Sequence, residues 1–213
     1  MSTPSSANID AQQMLDVMAQ MQADHNAHVH PEWRTQGYEY YRAIWVECAE
    51  MLDHYGWKWW KQQDCDIDQV KLELVDIWHF ALSEMLRADT LDAEVANKLV
   101  AVMPAADPQA FRLAIEALAL STLTTRSFEI EPFMAAMSHL PLGYAELFRL
   151  YVGKNVLNNF RQDHGYKTGT YKKLWSGRED NEHLIDAINA LDVAPLEMVA
   201  ALRAALEERY AAA

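Results

Sequence analysis

Apolar residues recur at helical spacing along most of the chain, and the pattern is strongest between positions 43 and 80. Asp10 is placed to cap a first helix running through about Gln22, with Met14, Leu15, Val17, Met18 and Met21 as its apolar positions; residues 1–8 are expected to form a frayed tail. A second helix is expected from about Tyr38 to His54, broken by Gly56, and a third from Asp66 or Asp68 to about Ala88. The third carries Val70, Leu74, Ile77, Trp78, Ala81, Leu82 and Met85, apolar around most of its circumference, which predicts a central position in a bundle. Segments 92–102, 107–124 and 131–139 read as shorter helices punctuated by Pro104, Pro108, Pro132 and Pro141. A strong helix follows from Tyr144 to Phe160, and a last one from about Pro195 to Tyr210. No alternating β-branched runs stand out. The fold class expected is therefore all-α: an antiparallel helical bundle core (about 10–88 and 144–183) with an additional helical lobe (about 89–143) and a C-terminal helix, in one domain over 1–213.

Within that pattern two acidic pairs interrupt apolar faces, Glu47 with Glu50 and Glu73 with Asp76. Each is spaced i, i+3, so both members share one helix face. Antiparallel packing would bring four carboxylates together, and like charges in a low dielectric do not all stay ionised without cations among them. Hard divalent ions with oxygen ligands, Mg²⁺ first, answer that requirement. His79 lies one turn beyond Asp76, where a buried core histidine and a functional one are about equally expected.

Composition narrows the classes. The chain has 213 residues, 51% of them apolar, enough for a packed core, and a net charge of −13 that disfavours nucleic acid and anionic membrane as partners. No run approaches the roughly 18 apolar residues of a membrane span. Cys48 and Cys65 form neither a disulfide framework nor a metal-ligand spacing, and together with the polar start MSTPSSANID they predict a soluble, cytoplasmic protein with free thiols. His25, His28 and His30 could suggest zinc, but no second ligand cluster accompanies them and Pro31 marks a turn, so that reading is the weaker one.

Two further stretches carry candidate chemistry. In GWKWWK, residues 56–61, at least one tryptophan is expected in the core, while Lys58 and Lys61 tilt another towards a nucleotide. Around residues 161–181 the local charge inverts: Lys154 just before them and Arg161, Lys167, Lys172, Lys173 and Arg178 within them cluster in an acidic chain, and Gly165, Gly169 and Gly177 suggest a flexible loop closing over a ligand. Metal-binding acids facing a Lys/Arg/Tyr loop suit polyphosphate chemistry.

These residues resemble the all-α, dimeric dUTPase family, within the all-α NTP pyrophosphatases that include the MazG-like enzymes. The wider group's ExxE…ExxD stands here as E47CAE50 and E73LVD76. MQADHN resembles the family's LQxxLN, with Gln22 and Asn26 in its polar positions and His25 in place of a usual apolar residue. GWKWWK matches, His79 follows the last motif acid by three, and residues 153–181 resemble the C-terminal signature. The likeness covers about residues 12–88 and 144–183.

The resemblance implies hydrolysis of dUTP, and of dUDP, to dUMP, with pyrophosphate released from dUTP, which limits uracil incorporation into DNA. It implies two or three Mg²⁺ (Mn²⁺ as substitute) held by Glu47, Glu50, Glu73 and Asp76, with Glu47 or Glu50 handling the proton of the water. Lys154, Arg161, Tyr166, Lys167, Lys58 and Lys61 are the phosphate-binding candidates. Gln22, Asn26, Trp57, Trp60, His79 and Asn158 are those for base and sugar. A homodimer is implied as well. Two rivals stand beside this reading: a related pyrophosphatase acting on dCTP or a damaged nucleotide, and a non-hydrolytic carboxylate bundle such as a di-iron protein, for which Asp76–His79 would be a lone half-motif. A plain helical interaction module leaves the acid pairs and the basic loop without a role.

Overall fold

The computed structural model describes residues 10–193 and 195–212; the tail expected over 1–8 lies outside them. Nine α-helices, two single-turn 3₁₀ segments and one short hairpin make up the regular structure of the described residues.

α1 spans Ala11–Val29. Its start is a capping box: the Asp10 carboxylate accepts from the Gln13 N–H at 2.8 Å while the Gln13 side chain accepts from the Asp10 N–H at 3.0 Å. The helix runs nearly two turns past the expected end at Gln22, because Gln22 and Asn26 find buried partners on α3 that outweigh the modest helix propensity of His and Asn. α2 (Tyr40–Tyr55) ends at Gly56, whose φ of 85° suits glycine. α3 (Ile67–Ala88) starts with the Asp66 side chain accepting from the Gln69 N–H. α2 and α3 pack antiparallel: the Asp66 N–H donates to the His54 carbonyl at one end, and Glu47 meets Glu73 and Asp76 further along. As expected, α3 is central, with Val70, Leu74, Ile77, Trp78, Ala81 and Leu82 all fully buried.

α4 (Ala93–Val100), α5 (Pro108–Thr125) and α6 (Ile130–Ser138) form the helical lobe, and α5 packs on α2. Its core is continuous with that of the bundle: Trp78 of α3 stacks on Phe133 of α6 at 5.3 Å. α7 (Tyr144–Asp163) lies against α1 and α3. A hairpin, β1 (Leu174–Trp175) with β2 (Arg178–Glu179), leads into α8 (Asp180–Ala190), and α9 (Pro195–Ala211) packs on α7 and α8.

Three expectations need correction. The tryptophans of GWKWWK all lie outside the core, Trp57, Trp59 and Trp60 being 45%, 90% and 56% exposed. Their connection is held away from the bundle by Gln63, whose Oε1 accepts from the N–H groups of Trp57 and Lys58. Trp33, Trp78 and Trp175 fill the core instead. Next, α8 begins inside the stretch taken for a loop. Finally, that stretch is folded rather than open: Trp175 is fully buried among Phe160, Tyr171 and Tyr210, and Gly165, at φ 90°, shapes a left-handed turn where a Cβ would fall on the Thr170 hydroxyl.

Gly153 has a different task. A Cβ there would stand 2.5 Å from Ile188 Cδ1, so the bare backbone lets α8 close on α7. That approach sets the first turn of α8 beside Lys154 and Arg161. Cys48 is buried and Cys65 exposed, both as free thiols. No described helix is long and apolar enough to cross a membrane.

Candidate active site

One oxygen each from Glu47, Glu73 and Asp76 lie within 4.8 Å of one another. They share a cavity of about 700 Å³ with Glu50, which lines it but stands outside that trio. Seven carboxylates (Glu47, Glu50, Asp66, Glu73, Asp76, Glu179 and Glu182) face three basic side chains, Lys154, Arg161 and Lys173. Burial, and then the charges of Asp76, Glu73 and Glu50, push the Glu47 carboxyl far above the ordinary carboxylate range. Burial raises Glu73 too, against the pull of Lys154.

The donor set is carboxylate oxygen throughout, with excess negative charge. That suits a hard divalent cation such as Mg²⁺ or Mn²⁺ and does not suit a thiophilic or imidazole-seeking metal. His79 stands apart from it. Its Nδ1 donates to the Val75 carbonyl at 2.8 Å, its ring stacks on Tyr151 at 4.2 Å, and its Nε2 is buried without a partner. Burial lowers its pKa to about 4, so the ring is neutral. Because no His79 atom belongs to the carboxylate cluster, the Asp76–His79 half-motif of the di-iron reading gains no second ligand there. The trio is also the one candidate metal cluster among the described residues, and it excludes His25, His28 and His30.

The basic wall comes from α7. Lys154 is 1% exposed, its Nζ 2.8 Å from Asp76 Oδ2 and 3.0 Å from Asn181 Oδ1. Arg161 forks onto Asp180, with Nε and Nη2 each donating at 2.8 Å, and Tyr171 donates to the same carboxylate at 2.8 Å. Burial alone would raise the Asp180 carboxyl, but these bonds and the Arg161 charge hold it below its ordinary range. Tyr166 lines the cavity; Asn158 sits behind, accepting from Arg161 Nη1 at 3.1 Å.

The other candidates lie elsewhere. Lys167 donates to the Val29 carbonyl, Lys58 pairs with Asp53, and Lys61 is exposed on the α2–α3 connection. Trp57 and Trp60 meet edge to face at 5.2 Å, and neither lines the acidic cavity or the one beside Asn26. Conversely, Asp66, Gln69, Asp180, Asn181 and Glu182 join the site without having been singled out. The signal for the α8 group was present: Glu179 with Glu182 forms a capping box that announces a helix start.

A second cavity, of about 390 Å³, opens one helical turn further along the same groove. Its wall residue Ala43 lies four before Glu47 on α2, and Phe80 four after Asp76 on α3, a step of about 6 Å. Val29, Trp33, Tyr38 and Phe80 supply apolar surface, His25 and Asn26 polar groups. Behind it, Gln22 Nε2 donates to both Asn26 Oδ1 and Ser83 Oγ, and Gln22 Oε1 accepts from Tyr151. Both Gln22 N–H groups are thus committed to fixing Asn26. Asn26 gives one N–H to Ser83 and keeps the other.

A model of the dUTPase family matches residues 14–166. The match takes in both acidic pairs, α1 from Met14 onward, all of α7 and the chain on to Tyr166; residues 167–183 lie beyond it. No curated protein matches the chain.

Proposed function

We infer the chemistry of this site from one premise, that the chain belongs to the dUTPase family and is a nucleotide pyrophosphohydrolase that hydrolyses dUTP. The reading is Mg²⁺-dependent hydrolysis of dUTP to dUMP and pyrophosphate, with dUDP accepted as well. The observation that carries it is the excess of carboxylates in the large cavity, which would repel a triphosphate unless divalent cations bound first. Glu47, Glu73 and Asp76 would hold those ions, and Mg²⁺ there would supply neutralisation of the phosphate charge and acidification of the attacking water. Glu50, in the cavity but outside the trio, is free to take the proton of that water. Arg161, Tyr166 and Lys154 hold phosphate oxygens, and Asp180 and Asn181 keep the two cations aimed inward. The base enters the second cavity, where the spare N–H of Asn26 meets a ring carbonyl and the apolar walls exclude water. A homodimer is part of this reading; the exposed Leu113, Leu120 and Leu123 on the outer face of α5 support it.

A nucleotide panel tests the substrate. With Mg²⁺, dUTP should exceed dCTP, dTTP and UTP in kcat/KM by more than tenfold, about 1.4 kcal/mol. Chelation should abolish turnover and Mg²⁺ restore it. Preference for another base would overturn the substrate reading.

A second expectation concerns pH. Because its pKa is raised in the fold, Glu47 works against the metal-free fold as pH climbs from the ordinary carboxylate range towards about 9. A bound divalent cation removes that penalty. The rise in Tm produced by Mg²⁺ should therefore be larger at pH 8.5 than at pH 5.5. A Mg²⁺ effect independent of pH would place the ion away from the acidic trio.

A further inference from the structure

His25 lines the second cavity beside Asn26. Its tautomer is fixed by a chain of hydrogen bonds that begins at a group able only to accept. The Met21 backbone carbonyl accepts from Asn155 Nδ2 at 3.4 Å. Asn155 therefore presents Oδ1 to Asn159, whose Nδ2 donates to it at 3.0 Å. Asn159 in turn presents Oδ1 to His25 Nδ1, 2.8 Å away. An amide oxygen accepts, so Nδ1 carries the hydrogen. The remaining nitrogen, Nε2, is left with a lone pair and no hydrogen-bond partner among the described residues. Burial, the larger influence, lowers the pKa of the ring and keeps it neutral.

We propose that His25 is a specificity-determining residue of the base pocket, its Nε2 accepting the N3–H of uracil. The inference rests on the reading that the second cavity takes the base. Cytosine has a lone pair at N3, which would face the lone pair of Nε2. Asn26 supplies a donor to a ring carbonyl, so the two neighbours on α1 offer one acceptor and one donor, matching the adjacent N3–H and C=O of uracil. A site built to pair with a substrate N–H rejects an analogue that lacks it, because the buried acceptor is left unpaired. An apolar residue at position 25 would carry no such test.

The experiment has two arms. In the first, kcat/KM for dUTP, dCTP and N3-methyl-dUTP is compared between the wild type and His25→Leu. The variant is expected to lose about 10- to 100-fold in the dUTP/dCTP ratio, chiefly through KM for dUTP, with the N3-methyl analogue little changed. An unchanged ratio in an active variant overturns the proposal. The second arm needs no variant: ¹⁵N NMR of the uniformly labelled wild type, reading the histidine ring nitrogens together with the backbone amides, with and without dUMP and Mg²⁺. Nε2 of His25 should be the unprotonated nitrogen in the free protein and shift on dUMP binding as it accepts a hydrogen bond. Protonation at Nε2 in the free protein overturns the assignment. Shifts at Trp33 and Phe80 with none at Nε2 overturn it for His25 alone; no shift at any of the three overturns the placement of the base as well.

Discussion

Replacing Glu47 with Gln is expected to lower kcat/KM for dUTP by about a thousandfold, about 4 kcal/mol, while raising the Tm of the metal-free protein. The two effects have one cause. The Glu47 carboxyl is held in a buried site beside Asp76, Glu73 and Glu50, where its ionised form is disfavoured; an amide of the same shape removes that repulsion and one proposed metal ligand together. Asp76→Asn should cost as much activity, yet it should move stability the other way. Asp76 is the partner of Lys154, and breaking a buried pair strands the ammonium at a cost on the order of 3 kcal/mol. Turnover and thermal melts of the two variants, with and without Mg²⁺, measure this. Retained turnover in Glu47→Gln, or stability changes of the same sign in both variants, would contradict the role given to the trio. At the level of sequence both substitutions look equivalent, each removing one acid of a repeated motif. The Lys154–Asp76 contact separates them.

That contrast marks how far the sequence carries. The acidic pairs are legible because charge in an apolar helical period is costly without a purpose, and two helices joined by a short connection pack antiparallel. The centrality of α3 is legible for the same reason, since its apolar residues leave no solvent face. What escapes is anything fixed by a partner distant in sequence. Arg161 reads as a basic residue in a loop until Asp180, nineteen residues on, is seen to hold it. The glycines at 165, 169 and 177 read as a flexible loop because composition does not report that Trp175, within the same stretch, is buried. GWKWWK reads as supplying at least one core tryptophan because tryptophans beside a bundle ordinarily are buried, and the hydrogen bonds that Gln63 accepts from Trp57 and Lys58 leave no trace in hydropathy. The second cavity is drawn from α1, the segment after it, α2, α3 and α7, so no single stretch announces it.

Asp180→Ala should be the most destabilising single change near the site, by about 3–5 kcal/mol, which for a chain of this size is a Tm drop of about 10 °C. The carboxylate is fully buried and accepts from two guanidinium nitrogens and one phenol; truncation leaves Arg161 charged and nearly enclosed with only Asn158 and Asn181 to satisfy it. The acid limb of stability should change too. Since the folded state holds the Asp180 carboxyl below its ordinary range, it adds stability above about pH 4 that is lost as pH falls through the lowered value; the variant should show a shallower acid limb. Adding Arg161→Leu to Asp180→Ala removes the stranded charge and should recover most of the lost Tm. Activity should not return, because the cation proposed to hold the phosphates is gone. A double variant that regains turnover would show that Arg161 serves only to hold α7 to α8. One that regains neither Tm nor turnover would show that Asp180 matters for something other than its partner.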